Sequence, residues 1–357
     1  MGNSLLAGRS RAWLDVDLDA LKRNAECFRA ASGVPILPMI KADAYGTGAA
    51  AVVQVLEGIE PWGYGIATVE EGAELRRLGI QRPVVIFTPL YPQILHGCRV
   101  WDLRPSIGSL VMLEAWLESG GGPFHLAVDT GMSRSGIQWW DETIWKRLVP
   151  LIDGRPEFEG IYTHFHSAGE DDAACRLQTD RLLEVVARFR ERPRLVHLAN
   201  SAAPLQTRFD LARPGIFLYG VSVPGLEAKP VAAFRALVVA LRRVPAGATV
   251  SYGATWTAPR ETTVATIAAG YADGILRSLS NRGEVELAGR VCPVVGRVTM
   301  DLTMIDAGDL LLSVGDVATV YGGLVTLERA ALLAETIPYE LLVSVGKRIP
   351  RFYRRGE

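Results

Sequence analysis

The sequence predicts an α/β protein with an N-terminal TIM-like (β/α)8 barrel and a mostly β C-terminal domain. Short apolar segments alternate with helix-like segments over roughly the first 220 residues, a pattern typical of a barrel. Beyond residue 235 the chain becomes rich in Val, Thr and Gly with frequent turn signals, which favours β-structure. The length of 357 residues accommodates a barrel of about 250 residues and a smaller second domain.

The barrel strands are expected where short apolar runs are bounded by turn-forming residues. Helices are expected between them, and Thr68 with Glu71 matches a capping box that opens a helix ending near Gly79. Further helices are predicted over 109–119 and 176–191. The eight strand candidates are 35–40, 64–67, 84–88, 102–106, 124–129, 159–164, 195–199 and 210–213.

The second domain is predicted to contain several strands and one helix. We therefore expect two domains, 1–235 and 236–357. The strand-rich stretches are 234–244, 261–269, 283–296 and 316–321, and the helix is predicted near 327–336.

Composition excludes several classes of function. The net charge is −1 and charged residues make up 22% of the chain, so neither a nucleic acid nor a membrane surface is an expected partner. The four cysteines lack the spacing of a metal site or a disulfide framework, so no metal is expected. Because the chain shows no signal peptide and no apolar run of about 18 residues, we expect a cytoplasmic protein.

Lys41 is the most informative single residue, because it directly follows the apolar strand 35–40. Burial disfavours a charged lysine and lowers its pKa. A neutral lysine amine is a nucleophile suited to a Schiff base with an aldehyde cofactor. The alternative is a lysine that extends from the strand end into solvent.

Other polar residues follow the later strands, so they are expected at the same end of the barrel, where catalytic groups lie in this fold. A serine hydroxyl and backbone N–H groups at this end could bind a phosphate without a lysine. Together these residues predict a cofactor with a phosphate near Lys41. The residues are Arg134 after the fifth strand, His164 after the sixth, Asn200 and Ser201 after the seventh, and Arg213, Gly215 and Ile216 after the eighth.

Seven motifs, in order from about Arg11 to Tyr353, resemble alanine racemase. The resemblance implies pyridoxal 5′-phosphate as cofactor, interconversion of L- and D-alanine that supplies D-alanine for peptidoglycan, and a homodimer whose active sites are shared between chains. The motifs are Lys41-Ala-Asp-Ala-Tyr45-Gly, Asp129-Thr-Gly-Met-Ser-Arg134, His197-Leu-Ala-Asn-Ser201, Arg213-Pro-Gly-Ile-Phe-Leu-Tyr-Gly220, Ser251-Tyr-Gly-Ala-Thr255, Gly270-Tyr-Ala-Asp-Gly274 and Gly296-Arg-Val-Thr-Met-Asp301.

The resemblance also implies roles for individual residues. Lys41 and Tyr252 of the partner subunit would be the two bases that racemisation requires, one on each face of the α-carbon. His164 and Arg213 would assist Tyr252, and Arg213 would face the pyridine nitrogen. The phosphate would bind Tyr45, Ser201, Gly215 and Ile216, with Asn200 beside them.

The substrate carboxylate would meet Arg134, which also contacts the phenolic oxygen of the cofactor, and the backbone N–H of Met300 from the partner chain. Tyr271, Arg277 and Arg297 would line the entry to the site.

The chain departs from the family pattern at three places. Ala127 replaces a lysine, often carbamylated, that normally supports Arg134. Asp43 and Thr47 replace the usual Asn and His of the first motif. Lys347 stands where relatives often have a tyrosine before Arg-Val-Pro, so the substrate range is open.

Three alternatives remain. A racemase for serine, lysine or arginine would differ only in the width of its pocket. A decarboxylase that uses the same cofactor would place a carboxylate opposite the pyridine nitrogen, where this chain has Arg213. A non-catalytic carrier of the cofactor would lack the region 235–357.

Overall fold

The computed structural model of the chain, which describes residues 10–203 and 209–355, is built on two main sheets. The first is parallel, and its strands follow one another in sequence order. A short segment, Ile137–Gln138, pairs with its fourth strand outside that order. The ordered strands are Tyr64–Ile66, Val84–Pro89, Arg104–Ile107, Phe124–Asp129, Phe158–Tyr162 and Leu195–His197.

Two further segments close this sheet into a barrel. Ile36 forms a parallel bridge with Ala212, and Met39 forms one with Gly65. The segment predicted as the first strand, 35–40, therefore lies between the segment at Ala212 and the strand Tyr64–Ile66. The predicted fold class is confirmed.

Helices lie between the barrel strands as the sequence predicted. Thr68 caps the helix that follows it, and the Glu71 side chain completes the capping box. The helix predicted over 176–191 begins and ends earlier, at Asp172 and Val186. The helices of the barrel region are Leu18–Ser32, Ala49–Leu56, Val69–Arg77, Pro92–Val100, Leu110–Glu118, Glu142–Ile152 and Asp172–Val186, with 3-10 turns at Glu57–Ile59 and Ile216–Tyr219.

The second sheet is formed mainly by the C-terminal part of the chain. Its central strand is Ala232–Val244, and Ala12–Asp17 pairs with it antiparallel and with Arg351–Arg354 in parallel. The N-terminal strand was not predicted. The division between residues 235 and 236 stays a prediction. The other strands are Thr262–Ile267, Glu284–Leu287, Arg290–Pro293, Thr303–Gly308 and Val317–Tyr321, and Thr249–Val250 pairs separately with Trp256–Thr257.

Two short helices, Leu327–Leu333 and Pro338–Ser344, follow the strand Val317–Tyr321 in sequence. The second of these packs against the loop after Lys41, and a Cβ at Gly46 would collide with the carbonyl oxygen of Leu342. This close approach brings the C-terminal part of the chain to the end of the barrel that carries Lys41. Within the described ranges, no helix is long and apolar enough to cross a membrane.

Candidate active site

The carboxyl ends of the barrel strands surround a cavity of about 770 Å³, within the range of sites for small ligands and cofactors. Nine of the residues predicted from the sequence line it. The structure therefore brings together the whole set that was expected from the barrel. These residues are Lys41, Tyr45, Arg134, His164, Asn200, Ser201, Arg213, Gly215 and Ile216.

Lys41 stands at the start of an unusual turn. The four residues after it, Ala42 to Tyr45, all have φ between 53° and 55°, a left-handed conformation that costs each of them about 1–2 kcal/mol. The carboxylate of Glu71 accepts the backbone N–H of Ala42 at 2.6 Å and that of Ala67 at 2.7 Å. Glu71 thereby connects this turn to the end of the strand Tyr64–Ile66 and fixes the position of the backbone directly after Lys41.

The amine of Lys41 has a lowered pKa. Burial is the largest cause, the charge of Arg134 adds to it, and the carboxylate of Glu71 opposes it. A larger share of the amine is therefore neutral than for a lysine in water, as nucleophilic or general-base work requires. The strand-end position had left two alternatives for Lys41, a buried amine of lowered pKa or a lysine that extends into solvent, and the structure shows the first.

One end of the cavity is lined by neutral donors. The Ser201 hydroxyl oxygen accepts the N–H of Gly215 at 2.8 Å and that of Phe217 at 3.4 Å. Tyr45 stacks on Tyr219 with ring centroids 4.6 Å apart. A Cβ at Gly215 would collide with the hydroxyl of Tyr45, so only glycine lets the backbone lie this close to that hydroxyl.

The other end of the cavity contains Arg213, which is 4% exposed. Its Nη2 donates to the carbonyl oxygens of Thr163 at 2.8 Å and Leu198 at 3.1 Å. Its Nη1 donates to the carbonyl oxygen of His197 at 2.8 Å. These bonds hold the guanidinium in one orientation. Burial lowers its pKa to about 10, with the charge of Arg134 also contributing, so it remains a cation at neutral pH.

His164 lies beside Arg213, with Nδ1 3.4 Å from Nη2. Burial and the charges of Arg213, Arg134 and Lys41 lower the pKa of His164 to about 3. The imidazole is therefore neutral at physiological pH. Because arginine only donates hydrogen bonds, Nδ1 accepts and the proton of His164 is on Nε2.

Arg134 is exposed toward the cavity. Ala127, which also lines the cavity, is 3% exposed. Among the described residues no carboxylate lies within ion-pairing distance of Arg134. Residues 10–203 and 209–355 thus offer Arg134 no carboxylate in place of the lysine carbamate that the resemblance implies.

Three predicted residues lie elsewhere. Tyr252 is 72% exposed, Met300 52% and Tyr271 44%, and none of them lines the cavity of its own chain. Tyr271 N donates to the carbonyl of Thr299 at 2.9 Å, and Ser251 donates to the carbonyl of Arg297 at 2.7 Å. These three residues therefore occupy a solvent-facing part of the C-terminal domain.

The cavity is also lined by residues that were not predicted. Two of them, Ile337 and Tyr339, come from the C-terminal part of the chain at the start of the helix Pro338–Ser344, and the Tyr339 ring lies 6.0 Å from that of Tyr45. Lys347 is exposed and does not line the cavity. Pro338, at the first position of the helix, indicates a helix start from the sequence alone. The sequence does not show that this helix start lies at the cavity, because that follows from the contact between the helix and the loop at Gly46.

The lining residues fit pyridoxal 5′-phosphate. Hydroxyl and N–H donors around Gly215 suit its phosphate, the Lys41 amine with its lowered pKa suits its aldehyde, and the guanidinium of Arg213 suits a ring nitrogen with a free lone pair. Because Gly215 has no Cβ, its backbone and the Tyr45 hydroxyl lie close enough together to contact one phosphate group.

Comparisons with known proteins agree along the chain. The family model described as alanine racemase, N-terminal domain, matches residues 16–223, and the C-terminal domain model matches 231–353. The chain is similar to the alanine racemases of Salinispora tropica, at 38% identity over 96% of this chain and 98% of that one, and Geobacter sulfurreducens, at 37% over 95% and 96%.

Solved structures give the same result. The crystal structure of alanine racemase from Streptomyces lavendulae has a TM-score of 0.88, with 33% identity over 98% of both chains. That of alanine racemase from Bartonella henselae, with covalently bound pyridoxal phosphate, has a TM-score of 0.90, with 29% identity over 97% of this chain and all of the other.

Proposed function

We infer that this chain, which belongs to the alanine racemase family, is a pyridoxal 5′-phosphate-dependent isomerase that interconverts L-alanine and D-alanine. In this role it supplies D-alanine for peptidoglycan, and we propose that it works in the cytoplasm. The observation that carries the proposal is one cavity that is lined by a lysine of lowered pKa, a set of neutral donors and a buried arginine.

The cofactor, when bound, supplies an aldehyde and an aromatic ring that withdraws electrons from the α-carbon of the substrate. We propose that Lys41 binds it covalently. Ser201, Tyr45 and the backbone N–H groups of Gly215 and Ile216 hold its phosphate, and Asn200 supports this loop. The Asn200 side chain accepts the N–H of Ala202 at 3.0 Å, which shapes the chain around Ser201.

Inversion at the α-carbon needs a proton acceptor on one face and a proton donor on the other. Lys41 serves one face through its amine, which is kept partly neutral by burial. Tyr252 of the partner subunit serves the other through its hydroxyl. A tyrosine in water has a pKa of about 10, so the tyrosine needs a neighbour that stabilises its ionised oxygen.

His164 can be that neighbour. Its Nδ1 accepts from Arg213, so Nε2–H is free to donate to the hydroxyl oxygen of Tyr252. Because the low pKa of His164 keeps the ring neutral, this donor is available throughout the physiological range. Arg213 would therefore act at two places: directly at the ring nitrogen of the cofactor and, through His164, at Tyr252 of the partner subunit.

We propose that the active unit is a homodimer with shared active sites. Tyr252, Tyr271 and Met300 are exposed on the C-terminal domain, whereas Lys41 is inside the barrel cavity. A two-fold dimer that places the exposed face of one chain over the cavity of the other would complete both sites at once. Large exposed side chains grouped on one face are typical of such an interface.

Substrate binding follows from the same arrangement. Arg134 contacts the substrate carboxylate, together with the backbone N–H of Met300 of the partner subunit, and Tyr271 of the partner subunit lines the entry. Ile337 and Tyr339 of the same chain also line the cavity.

The test is chiral analysis of products from a panel of L-amino acids, including alanine, serine, lysine and arginine. Formation of D-alanine at the highest kcat/KM supports the proposal, and a faster reaction with a larger amino acid points to a broader racemase. Release of CO2 indicates a decarboxylase, and no turnover by cofactor-loaded protein indicates a carrier. A Lys41→Ala variant, which should lose the visible absorption of the bound cofactor, is the control.

A further inference from the structure

A row of buried side chains runs through the barrel interior behind Arg213. Arg213 Nη1 lies 2.6 Å from His197 Nδ1, and His197 Nε2 lies 2.8 Å from His125 Nδ1. His125 Nε2 lies 3.2 Å from Glu159 Oε2. Both histidines are fully buried. Glu159, 11% exposed at its side chain, also pairs with Arg104 at 3.5 Å.

This row connects the two ends of the barrel. His197 is the last residue of its strand, whereas His125 and Glu159 are each the second residue of theirs. The barrel makes room for it, because a Cβ at Gly160 would lie 2.7 Å from His125 Nδ1. The hydrogen bonds therefore begin beside the active-site cavity and end near the amino-terminal ends of the barrel strands.

The chemistry of the two end groups sets the direction of every bond between them. Arginine only donates and an ionised carboxylate only accepts. Arg213 therefore donates to Nδ1 of His197, whose proton is on Nε2 and is donated to Nδ1 of His125. The proton of His125 is then on Nε2 and is donated to Glu159. Burial lowers the pKa of both histidines, so both are neutral. Only one tautomer of each ring then forms all the hydrogen bonds between Arg213 and Glu159.

The opposite pair of tautomers conflicts with Arg213. If His125 carried its proton on Nδ1, it would donate to His197, whose own proton would then move to Nδ1. Two donors would face each other across the 2.6 Å between His197 Nδ1 and Arg213 Nη1. The guanidinium would have to turn, although its bonds to the carbonyls of Thr163, Leu198 and His197 would partly restrain it.

We propose that Glu159 and His125 are positioning residues for the racemase reaction: they fix the tautomer of His197 that accepts Arg213, and so hold the guanidinium toward the cofactor. The proposal rests on the proposed function, in which Arg213 faces the ring nitrogen. Glu159 acts from the far end of the barrel and touches neither substrate nor cofactor.

The first measurement is tautomer state, by nitrogen-15 NMR of histidine-labelled holoenzyme. The chain contains five histidines, and single His→Gln variants assign them. In the wild type both His125 and His197 should show an unprotonated Nδ1. Glu159→Leu, which removes the acceptor, should move protons onto Nδ1 in both rings. Glu159→Gln, whose amide oxygen can still accept from His125, should keep the wild-type pattern.

The second measurement is activity. Glu159→Leu should lower kcat about tenfold, the loss expected for one hydrogen bond to a charged group, with a much smaller change in KM for alanine. A turned guanidinium leaves the ring nitrogen open to protonation, so pyruvate formed by transfer of the amino group to the cofactor should rise. Glu159→Gln should restore kcat. Glu114→Leu removes a carboxylate that pairs with Arg147 at 3.2 Å on the surface and should change nothing.

Unchanged tautomers in Glu159→Leu would overturn the proposal, as would changed tautomers with normal kcat and no added pyruvate. If that variant does not fold, His125→Phe takes its place and should likewise move the His197 proton to Nδ1. The tautomer measurement needs no turnover. A protein that racemises no amino acid would therefore refute the proposed function while still deciding this inference.

Discussion

Mixing two inactive variants tests whether each active site is built from two chains. Lys41→Ala removes the lysine that we propose binds the cofactor inside the barrel cavity, and Tyr252→Phe removes a hydroxyl from a side chain that is 72% exposed. The second change should alter the free energy of unfolding by no more than about 0.5 kcal/mol, because it removes no buried contact. Each variant alone should therefore be folded and nearly inactive.

After subunit exchange, half of the dimers contain one chain of each kind. Such a heterodimer has one site with both residues changed and one site with both intact. Activity should rise to about one quarter of the wild-type value at equal total protein, from half the dimers and half their sites. The assay is D-alanine formation before and after exchange, with exchange itself followed by mass spectrometry of differently tagged chains.

A site built within one chain predicts a different result. Every site in the heterodimer would then lack either Lys41 or Tyr252, and exchange would leave activity near zero. Proven exchange without recovery would refute the shared-site model. It would also remove Tyr252 from its proposed role, because its own chain leaves it outside the cavity.

Three other outcomes are expected. Tyr252→Phe should slow solvent-deuterium exchange at the α-carbon of one alanine enantiomer far more than of the other, because Lys41 still serves one face; equal losses would contradict separate bases. Added bicarbonate should not raise activity at constant pH and ionic strength, whereas Ala127→Lys should make activity respond to it by supplying an amine that can be carbamylated beside Arg134. Because His164 has a folded pKa of about 3, below the ordinary value near 6.5, the unfolded chain binds more protons between these values. The free energy of unfolding of the apoprotein should therefore fall as pH drops through this window, by about 1.4 kcal/mol per pH unit for this histidine. Urea titrations measure it. A free energy that does not change with pH in the wild type, or that changes equally in His164→Gln, would show that His164 is not buried in its neutral form.

Local sequence pattern was enough to predict most of the barrel. Strands such as 124–129 are short apolar runs bounded by Gly or Pro, and Thr68 with Glu71 satisfies a helix start without help from the rest of the fold. Eight of the nine barrel residues of the site followed from one topological fact, that polar groups after parallel strands meet at one end, whereas Tyr45 was predicted from the family resemblance. Non-local pairing was not predictable in this way, since nothing in Ala12–Asp17 indicates which sheet it joins.

The parts of the site that depend on distant contacts were missed for the same reason. Tyr339 reaches the cavity because its helix packs on the loop at Gly46, a contact between residues nearly 300 positions apart. Glu71 was recognised as a capping residue, yet it also accepts the N–H of Ala42 from the turn after Lys41. Secondary-structure propensity concerns one helix or strand at a time, so it does not indicate that Glu71 also bonds to the distant residue Ala42.

The distribution of charge in the cavity separates racemisation from the rival chemistry. Arg134 and Arg213 line it as cations, and Oδ1 of Asp129 is already used by the N–H groups of Gly131 and Ser133. A decarboxylase of this architecture would place a carboxylate where Arg213 lies and keep the ring nitrogen protonated. Since arginine does not readily give up its proton, a cofactor ring nitrogen that faces Arg213 would stay unprotonated, and the ring would be a weaker acceptor of electrons. In the proposed arrangement the negative charge at the α-carbon would be short-lived, because Lys41 or Tyr252 of the partner subunit would return a proton to it before a slower reaction could compete.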